Sequence, residues 1–436
     1  MHDVDCRKHD EQRWRGAMAL TLLSAVMMAA TTSLAAGMPP ALDIRACYER
    51  ALARNERVGI AAAEWRAAEA RYRQSRDTLL PSISFTGGAT FQNDRRNTGS
   101  DSSSRSPEIY ALGIRVEQAL YRGFRTAREA EAREALGRAV KFDERRALEL
   151  LYLDVADAFH QLLACERDLA VLDRLVEALD QTVGVLEERT RLGRSRRADL
   201  IAAQASLAET RVEQAAIRGL ADAARELLSF LIDVPAGKIR LQDYTEPATS
   251  PALESFLTNA ALRADIQASA ARADAAQREA RAAQGERLPE VRTAGEWTLY
   301  EDPDEDREWN VALTMALPLF DEGVIRARAR EKGELVRISE LNLAALRRSA
   351  VGDVRAAYAD FRSAAAQLES LKEAQTLARE SYEVQSRDYE LGRSSQLDAL
   401  LALAQWQRLE RREAAADIQA HASLIRLHVA AGAVEP

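Results

Sequence analysis

The residues most often used in catalysis are few and scattered in this chain. Of its five histidines, His2 and His9 lie near or within the N-terminal leader, and His160, His421 and His428 fall on predicted helices. His421 and His428 are seven residues apart and could share a helix face, but two histidines without a cysteine or a third ligand favour packing over metal binding. Because the chain also has no HExxH sequence, CxxC pair, glycine-rich phosphate loop or nucleophile elbow, we predict no enzyme, no bound metal and no cofactor.

Two short turns contain residues that could serve a function other than catalysis. Leu192-Gly193-Arg194-Ser195 and Leu391-Gly392-Arg393-Ser394 each interrupt a helical pattern. Glycine suits the left-handed conformation that ends a helix, and Ser195 or Ser394 could cap the next helix. Each turn is therefore predicted to fold two helices into a hairpin. Asp199 and Asp398 follow the glycines by six residues, where the helix dipole alone would stabilise an acidic side chain by about 0.3–1 kcal/mol.

Long helices are needed to carry these turns. The chain has no proline between Tyr121 and Thr190 or between Val324 and Glu390, and apolar residues in the first stretch recur every three or four positions. This spacing is typical of helices that pack along their whole length. About 70 residues at about 1.5 Å each predict rods of roughly 100 Å. The composition agrees, since 29% of the residues are charged and only 6% are aromatic.

Four other segments alternate apolar and polar residues, as strands with one apolar face do. The first is LPSISFTGGATFQ, which begins at Leu80, and it is followed after a polar loop by YALGIRVEQAL. The second pair is LPEVRTAGEWTLY, which begins at Leu288, and WNVALTMALPLF. The sequence therefore predicts two β-hairpins, at about residues 82–119 and about residues 290–319.

The whole series of features occurs twice. LGRSRRAD and LGRSSQLD lie 199 residues apart, and Gly123 and Gly323, which follow the two hairpins, lie 200 residues apart. This predicts an internal duplication. We expect a first repeat at residues 37–232, a proline-containing linker at 233–251 and a second repeat at 252–436.

The predicted strands have the length of a tilted bilayer crossing. In hydrocarbon every backbone N–H and C=O group must be paired, and four strands cannot close a barrel by themselves, whereas eight from a dimer or twelve from a trimer could. Aromatic residues near the strand ends (Trp297, Tyr300 and Trp309) favour the membrane. A soluble hairpin covered by helices is the alternative. In a barrel, the polar side chains of the strands would line a water-filled lumen. They are Ser84, Thr86, Arg115, Glu117, Arg292 and Glu296.

The N-terminus predicts export. Arg13 and Arg15 precede the apolar run AMALTLLSAVMMAA and the small-residue stretch TTSLAAG. This order is typical of a signal peptide, here residues 1–36, with cleavage near Ala35 or Ala36. No run of 18 apolar residues occurs, so we expect no membrane-spanning helix.

The net charge bears on the choice of partner, and the cysteine content bears on whether the chain has a disulfide. The net charge of −8 argues against nucleic acid as a partner. Cys47 and Cys165 remain after cleavage of the leader. A disulfide between them stays open in an oxidising compartment, but two small apolar side chains on helix faces are favoured.

In the order of its elements the chain resembles the TolC-type outer membrane efflux proteins. Leader, strand hairpin, long helix, Leu-Gly turn and return helix, followed by a second copy of the unit, cover about residues 42–430. The resemblance implies a mainly α fold with membrane β-strands. Three chains would form a homotrimer with one twelve-stranded β-barrel, four strands from each, continuous with a long periplasmic α-helical barrel. It also implies outer membrane lipid around the barrel, and a periplasmic adaptor and an inner-membrane pump as partners.

The resemblance also implies a gate beside the second turn. Asp398 matches one of two aspartates that ring the family's closed aperture, and the other corresponds to Leu401, so an acidic constriction would be weaker here. Tyr389 matches a tyrosine that bonds the first-repeat aspartate, here Asp199. The family's gating arginine is Ser394 here, with an arginine one residue earlier. We expect Tyr389→Phe to raise the channel's conductance in planar bilayers.

The two turns would also form the periplasmic tips where the adaptor docks. Arg194, Arg196, Arg197 and Arg393 would be exposed there, although a solvated basic turn explains them equally well. The function implied is a passive exit duct of a tripartite system that exports small molecules or metal ions. The alternatives are a duct for type I protein secretion and a soluble periplasmic coiled-coil adaptor or scaffold.

Overall fold

A computed structural model of the chain describes residues 41–91, 108–244, 247–249, 252–302 and 309–433. The predicted signal peptide, residues 1–36, and the loop of the first β-hairpin lie outside these ranges. Within them, no helix combines the length and the apolar character that a membrane crossing requires.

The described elements follow one another as two similar series. The first consists of α1 (Ile44–Arg54), α2 (Glu56–Asp77), β1 (Ser82–Phe91), β2 (Glu108–Arg122), α3 (Arg125–Arg191) and α4 (Arg197–Ile232). The second consists of α5 (Leu253–Ala260), α6 (Ala264–Gln284), β3 (Glu290–Asp302), β4 (Trp309–Ala316), α7 (Val324–Glu390) and α8 (Gln396–Ala431). The long helices α3 and α7 have 67 residues each, and α4 and α8 have 36 each, so the predicted two-fold repeat is present.

The four strands form one antiparallel sheet in the order β1-β2-β3-β4. Ser84 lies opposite Arg115, which in turn lies opposite Glu296, so these polar side chains share one face. The chain's own helices leave the other face uncovered, which contradicts the soluble-hairpin alternative. Its exposed apolar side chains include Ile83, Phe85, Val116, Trp297, Val311, Leu313 and Met315.

Two strand ends differ from the prediction. β2 continues to Arg122 because, after an irregularity in the ladder, Tyr121 pairs with Val291. β4 ends at Ala316. The reason is Pro318, whose ring nitrogen has no hydrogen to donate to a neighbouring strand.

The helices form a wall whose neighbours change along its length. Near the strands, α3 packs against α2 and α6, and α6 also contacts α7. Towards the turns, α3 packs against α4 and α8, and α8 lies against α7. Ion pairs cross these contacts, for example Arg138–Asp274 at 2.9 Å between α3 and α6, and Arg174–Glu410 at 2.6 Å between α3 and α8. The chain therefore supplies a strip of wall rather than a closed bundle.

A buried apolar cluster lies where α1, α3 and α4 meet the linker. Cys47, Leu151, Phe159 and Leu228 are each at most 2% exposed. Cys165 packs against the same cluster, and both cysteines are free thiols. Burial raises the pKa of Cys47 to about 12. Both side chains therefore act as small apolar groups, as the sequence favoured.

The linker crosses this cluster as a strap, by which we mean residues 239–244. The Leu42 N–H donates to the Arg240 carbonyl at 2.7 Å, and the Gln242 N–H donates to the Leu42 carbonyl at 2.9 Å. Ile239, the first residue of the strap, is buried in the cluster. The strap is thus fixed to the start of the first repeat by backbone hydrogen bonds.

The strap ends at a tyrosine held between two histidines. The Tyr244 hydroxyl is 2.6 Å from His160 Nε2 on α3, and its ring stacks on His421 of α8 with 3.9 Å between centroids. Arg167 pairs with Asp243, the neighbouring residue of the strap. His160 is only 4% exposed, and this burial lowers its pKa to about 4. The strap therefore contacts α3 of the first repeat through the neutral imidazole of His160 and α8 of the second repeat through the ring of His421.

We expect acid to weaken the folded protein through His160. The unfolded state takes up this proton near pH 6.5 and the folded state only near pH 4, so stability is complete above about pH 6.5 and falls as the pH drops towards 4. The loss would reach about 3 kcal/mol at the lower end. Thermal unfolding of the purified protein in detergent between pH 8 and pH 4.5 measures it. His160→Gln should flatten the dependence, and an unchanged pH slope in that variant would contradict the assignment.

Candidate gate and docking tips

Both turns between the long helices have the same backbone geometry. Gly193 and Gly392 have φ angles of 70° and 72°, in the left-handed region that the sequence predicted. The Arg194 N–H donates to the Arg189 carbonyl at 2.7 Å, and Gly193 N–H to the Thr190 carbonyl at 3.0 Å. The second turn repeats both bonds. This pair of bonds closes the C-terminus of a helix and leaves the next residues free to reverse direction.

The capping residues differ from the prediction by one position. In the second turn Ser395, not Ser394, caps α8: its hydroxyl accepts the Asp398 N–H, and the Asp398 carboxylate accepts the Ser395 N–H, both at 3.2 Å. The hydrogen bond from the Ser395 hydroxyl lowers the pKa of Asp398. In the first turn the cap position is Arg196, and Ser195 makes no cap. Each returning helix begins one residue later than the sequence predicted. Ser195 and Ser394 therefore lie one position before the N-cap.

Tyr389 has a different partner from the predicted one. Arg189 Nη1 donates to the Tyr389 hydroxyl at 3.0 Å, and the guanidinium lies 5.7 Å from the centre of the tyrosine ring. This contact joins the end of α3 to the end of α7. No hydrogen bond links Tyr389 to Asp199 in the described residues, because Asp199 lies on α4, which packs mainly on α3. The hydrogen-bond partner of Tyr389 in the described residues is therefore Arg189.

A groove between the two hairpins is lined by Tyr389 but not by the other predicted gate residues. The groove has a volume of about 360 Å³, and Arg189, Tyr389 and Gln396 line it. Leu401 and Asp398 are exposed, with 60% of Leu401 accessible, and Asp199 is half-buried. No group of side chains in the described ranges could hold a metal ion.

Sequence reasoning missed two residues of this region, Arg189 and Ser395. The offset of 199 residues between the repeats places Thr190 at the position equivalent to Tyr389. Arg189 is adjacent to Thr190, so the repeat could have indicated it as a candidate partner of Tyr389. Ser395 follows Ser394 directly, and Asp398 stands three residues after it, which is the spacing of a capping box.

The comparisons with known proteins agree with this architecture. The model of the outer membrane efflux protein family matches residues 47–232 and 259–433, and the chain belongs to that family. The two matched segments follow the two repeats. The comparison with curated proteins gave no match.

Solved channel structures share the fold at low sequence identity. VceC from Vibrio cholerae is 18% identical with a TM-score of 0.78, and the match covers 89% of this chain and 96% of VceC. CmeC of Campylobacter jejuni is 16% identical with a TM-score of 0.77, over 89% and 85% of the two chains. The open state of MtrE from Neisseria gonorrhoeae is 20% identical with a TM-score of 0.75, over 89% and 88%.

These findings confirm the predicted fold class and the predicted class of function. The chain is mainly helical with four antiparallel strands, and it shares the fold of outer membrane channels such as VceC. It is a member of an outer membrane efflux channel family with a large periplasmic helical part. The roles of the individual gate and tip residues stay predictions.

The capping difference predicts unequal behaviour of the two tips. Ser395→Ala removes the cap of α8 and should cost about 1 kcal/mol locally, so amides 396–399 should exchange about fivefold faster. Ser195→Ala is the matched control, because Ser195 caps no helix, and amides 197–200 should exchange at the wild-type rate. Hydrogen–deuterium exchange with mass spectrometry measures both segments. Equal acceleration at the two tips would show that the assigned cap has no special role.

Proposed function

We propose that three copies of this chain form a passive exit duct in the outer membrane, fed by an inner-membrane pump through a periplasmic adaptor. The duct would export small molecules or metal ions and would carry out no catalysis. The pump would supply the energy, because the chain offers no nucleotide-binding motif. Membership of the efflux family supports this class of cargo over secreted polypeptides.

The observation that carries the proposal is the sheet with two open edges. Among the described strands, β1 and β4 each pair with a single neighbour, and one face of the sheet is apolar and exposed. In lipid such a sheet is stable only when both edges are paired. Pairing β1 of one copy with β4 of the next would satisfy both edges of every chain.

The polar face of the sheet suits a wet lumen. Arg115 Nη2 donates to Glu296 at 3.1 Å across β2 and β3. Near the base of the sheet, Arg122 and Arg125 donate to the two oxygens of Glu290 at 3.0 and 2.9 Å. Charged side chains that pair with one another in this way can face water without attracting one sign of cargo strongly.

At the other end, the Arg189–Tyr389 contact supports a closing role. It bridges the two hairpins of one chain near the tips, so its loss would let the hairpins separate. We place Asp398 and Leu401 on the first turns of α8 as the constriction, one acidic and one apolar residue per chain. The tips at residues 192–195 and 391–394 would bind the adaptor.

The duct itself is tested with the purified mature protein. We expect a trimer that is visible on unheated gels, dissociates on heating, requires detergent and conducts ions in planar bilayers. A detergent-independent monomer without conductance would overturn the proposal.

The closing contact is tested by three single variants in planar bilayers. Tyr389→Phe and Arg189→Gln each remove the hydrogen bond and should raise the mean conductance of the resting channel. Asp199→Asn is the control, because Asp199 has no bond to Tyr389 here, and its conductance should equal the wild type. If Asp199→Asn alone raises the conductance, the closing role belongs to Asp199 instead of Arg189.

A further inference from the structure

The two tips of the chain have the same backbone but opposite charge. Residues 187–199 contain five arginines and three carboxylates, whereas the equivalent residues 386–398 contain two arginines and three carboxylates. The first tip is therefore net positive and the second net negative, although the chain as a whole carries −8. Shared folding requirements do not explain this difference, since both turns close with the same hydrogen bonds.

Three of the five arginines at the first tip have neither an ion pair nor a side-chain hydrogen bond in the part of the chain that the structure describes. Arg189 donates to Tyr389, and Arg191 pairs with Glu188. The remaining three are exposed and make no ion pair among the described residues: Arg194, Arg196 and Arg197. At the second tip the positions equivalent to Arg196 and Arg197 hold the cap Ser395 and the buried Gln396. Arg387 and Arg393 at the second tip are also exposed without an ion pair among the described residues. The three carboxylates there outnumber them, so of the two tips the first is net positive and the second is not.

We propose that the first tip binds an acidic surface, formed by Asp and Glu side chains, of the periplasmic partner. This inference rests on the proposed function, which places a partner protein at the tips. Guanidinium groups bind carboxylates through paired N–H donors, and opposite charge at the rim of an interface sets the association rate and rejects wrong partners.

The consequence for assembly is a choice between two otherwise similar sites. A trimer presents six helix turns of nearly the same shape, three of each kind. Only the three turns of the first repeat carry the arginine excess, and they alternate with the three turns of the second repeat. A partner with an acidic docking end would therefore bind at the first kind of turn and not at the second.

Two synthetic helical-hairpin peptides serve as probes, identical except for three glutamates or three lysines at the turn. Their binding to the full-length trimer in detergent is measured by fluorescence anisotropy at low and at physiological salt. We expect the acidic hairpin to bind at least about tenfold more tightly than the basic one, with affinity falling as salt rises. Equal binding of the two hairpins would overturn the inference.

Matched double variants locate the binding site. R194Q/R197Q and R387Q/R393Q each remove two positive charges, one pair from each tip. The first should weaken the acidic hairpin by about tenfold and the second by less than about twofold. Equal effects of the two variants would overturn the inference. So would a shift in trimer heat stability or conductance in R194Q/R197Q without a change in peptide binding, because the arginines would then serve a neighbouring subunit.

Conductance of the same preparations separates this inference from the proposed function. A wild-type trimer that conducts but shows no preference for the acidic hairpin overturns the inference alone. A preparation without trimer or conductance overturns the proposed function, and this inference with it.

Discussion

Backbone pairing at the two edges of the sheet is the constraint on which the rest of the structure depends. Among the described strands, β1 and β4 each leave one side of their hydrogen-bonding ladder unpaired. The apolar face of the sheet is more stable in hydrocarbon than in water. Water could satisfy an open edge, but lipid cannot. In the proposed trimer, neighbouring copies meet this requirement by pairing with both edges. That requirement also explains the helices, because each copy must supply a strip of wall that continues the strip of its neighbour.

The composition of the helices follows from this wall. A strip of helices with solvent or a neighbour on each side has no thick core, so few large aromatic side chains are needed. Where α3 meets α6 the buried residues are largely alanines, including Ala132, Ala135, Ala268 and Ala275. Small side chains let two helices approach closely, and arginine–carboxylate pairs at the margins fix their register. The same reasoning explains why large buried side chains such as Phe159 concentrate at the strap, where several elements meet.

The parts of the fold that depend on local periodicity could be predicted from the sequence. Strict alternation gave the strands and their faces, absence of proline gave the long helices, and the glycines gave the turns. The parts that depend on the angle between distant helices could not. Tyr389 bonds Arg189 rather than Asp199, because the rotation of α7 against α3 decides which side chain it meets. The cap at Ser395 was missed for a smaller reason: a helix start is uncertain by one residue in any motif, and two adjacent serines both fit.

Shared closure of the sheet has a genetic consequence. In the proposed trimer each chain pairs through β1 with one neighbour and through β4 with the other, so a single defective copy would disrupt two of the three interfaces between chains. In a cell that makes normal and defective copies in equal amounts, random mixing leaves only about one ring in eight with three sound members. An allele that damages β1 or β4 but spares assembly of the helices would therefore act dominantly over the normal gene.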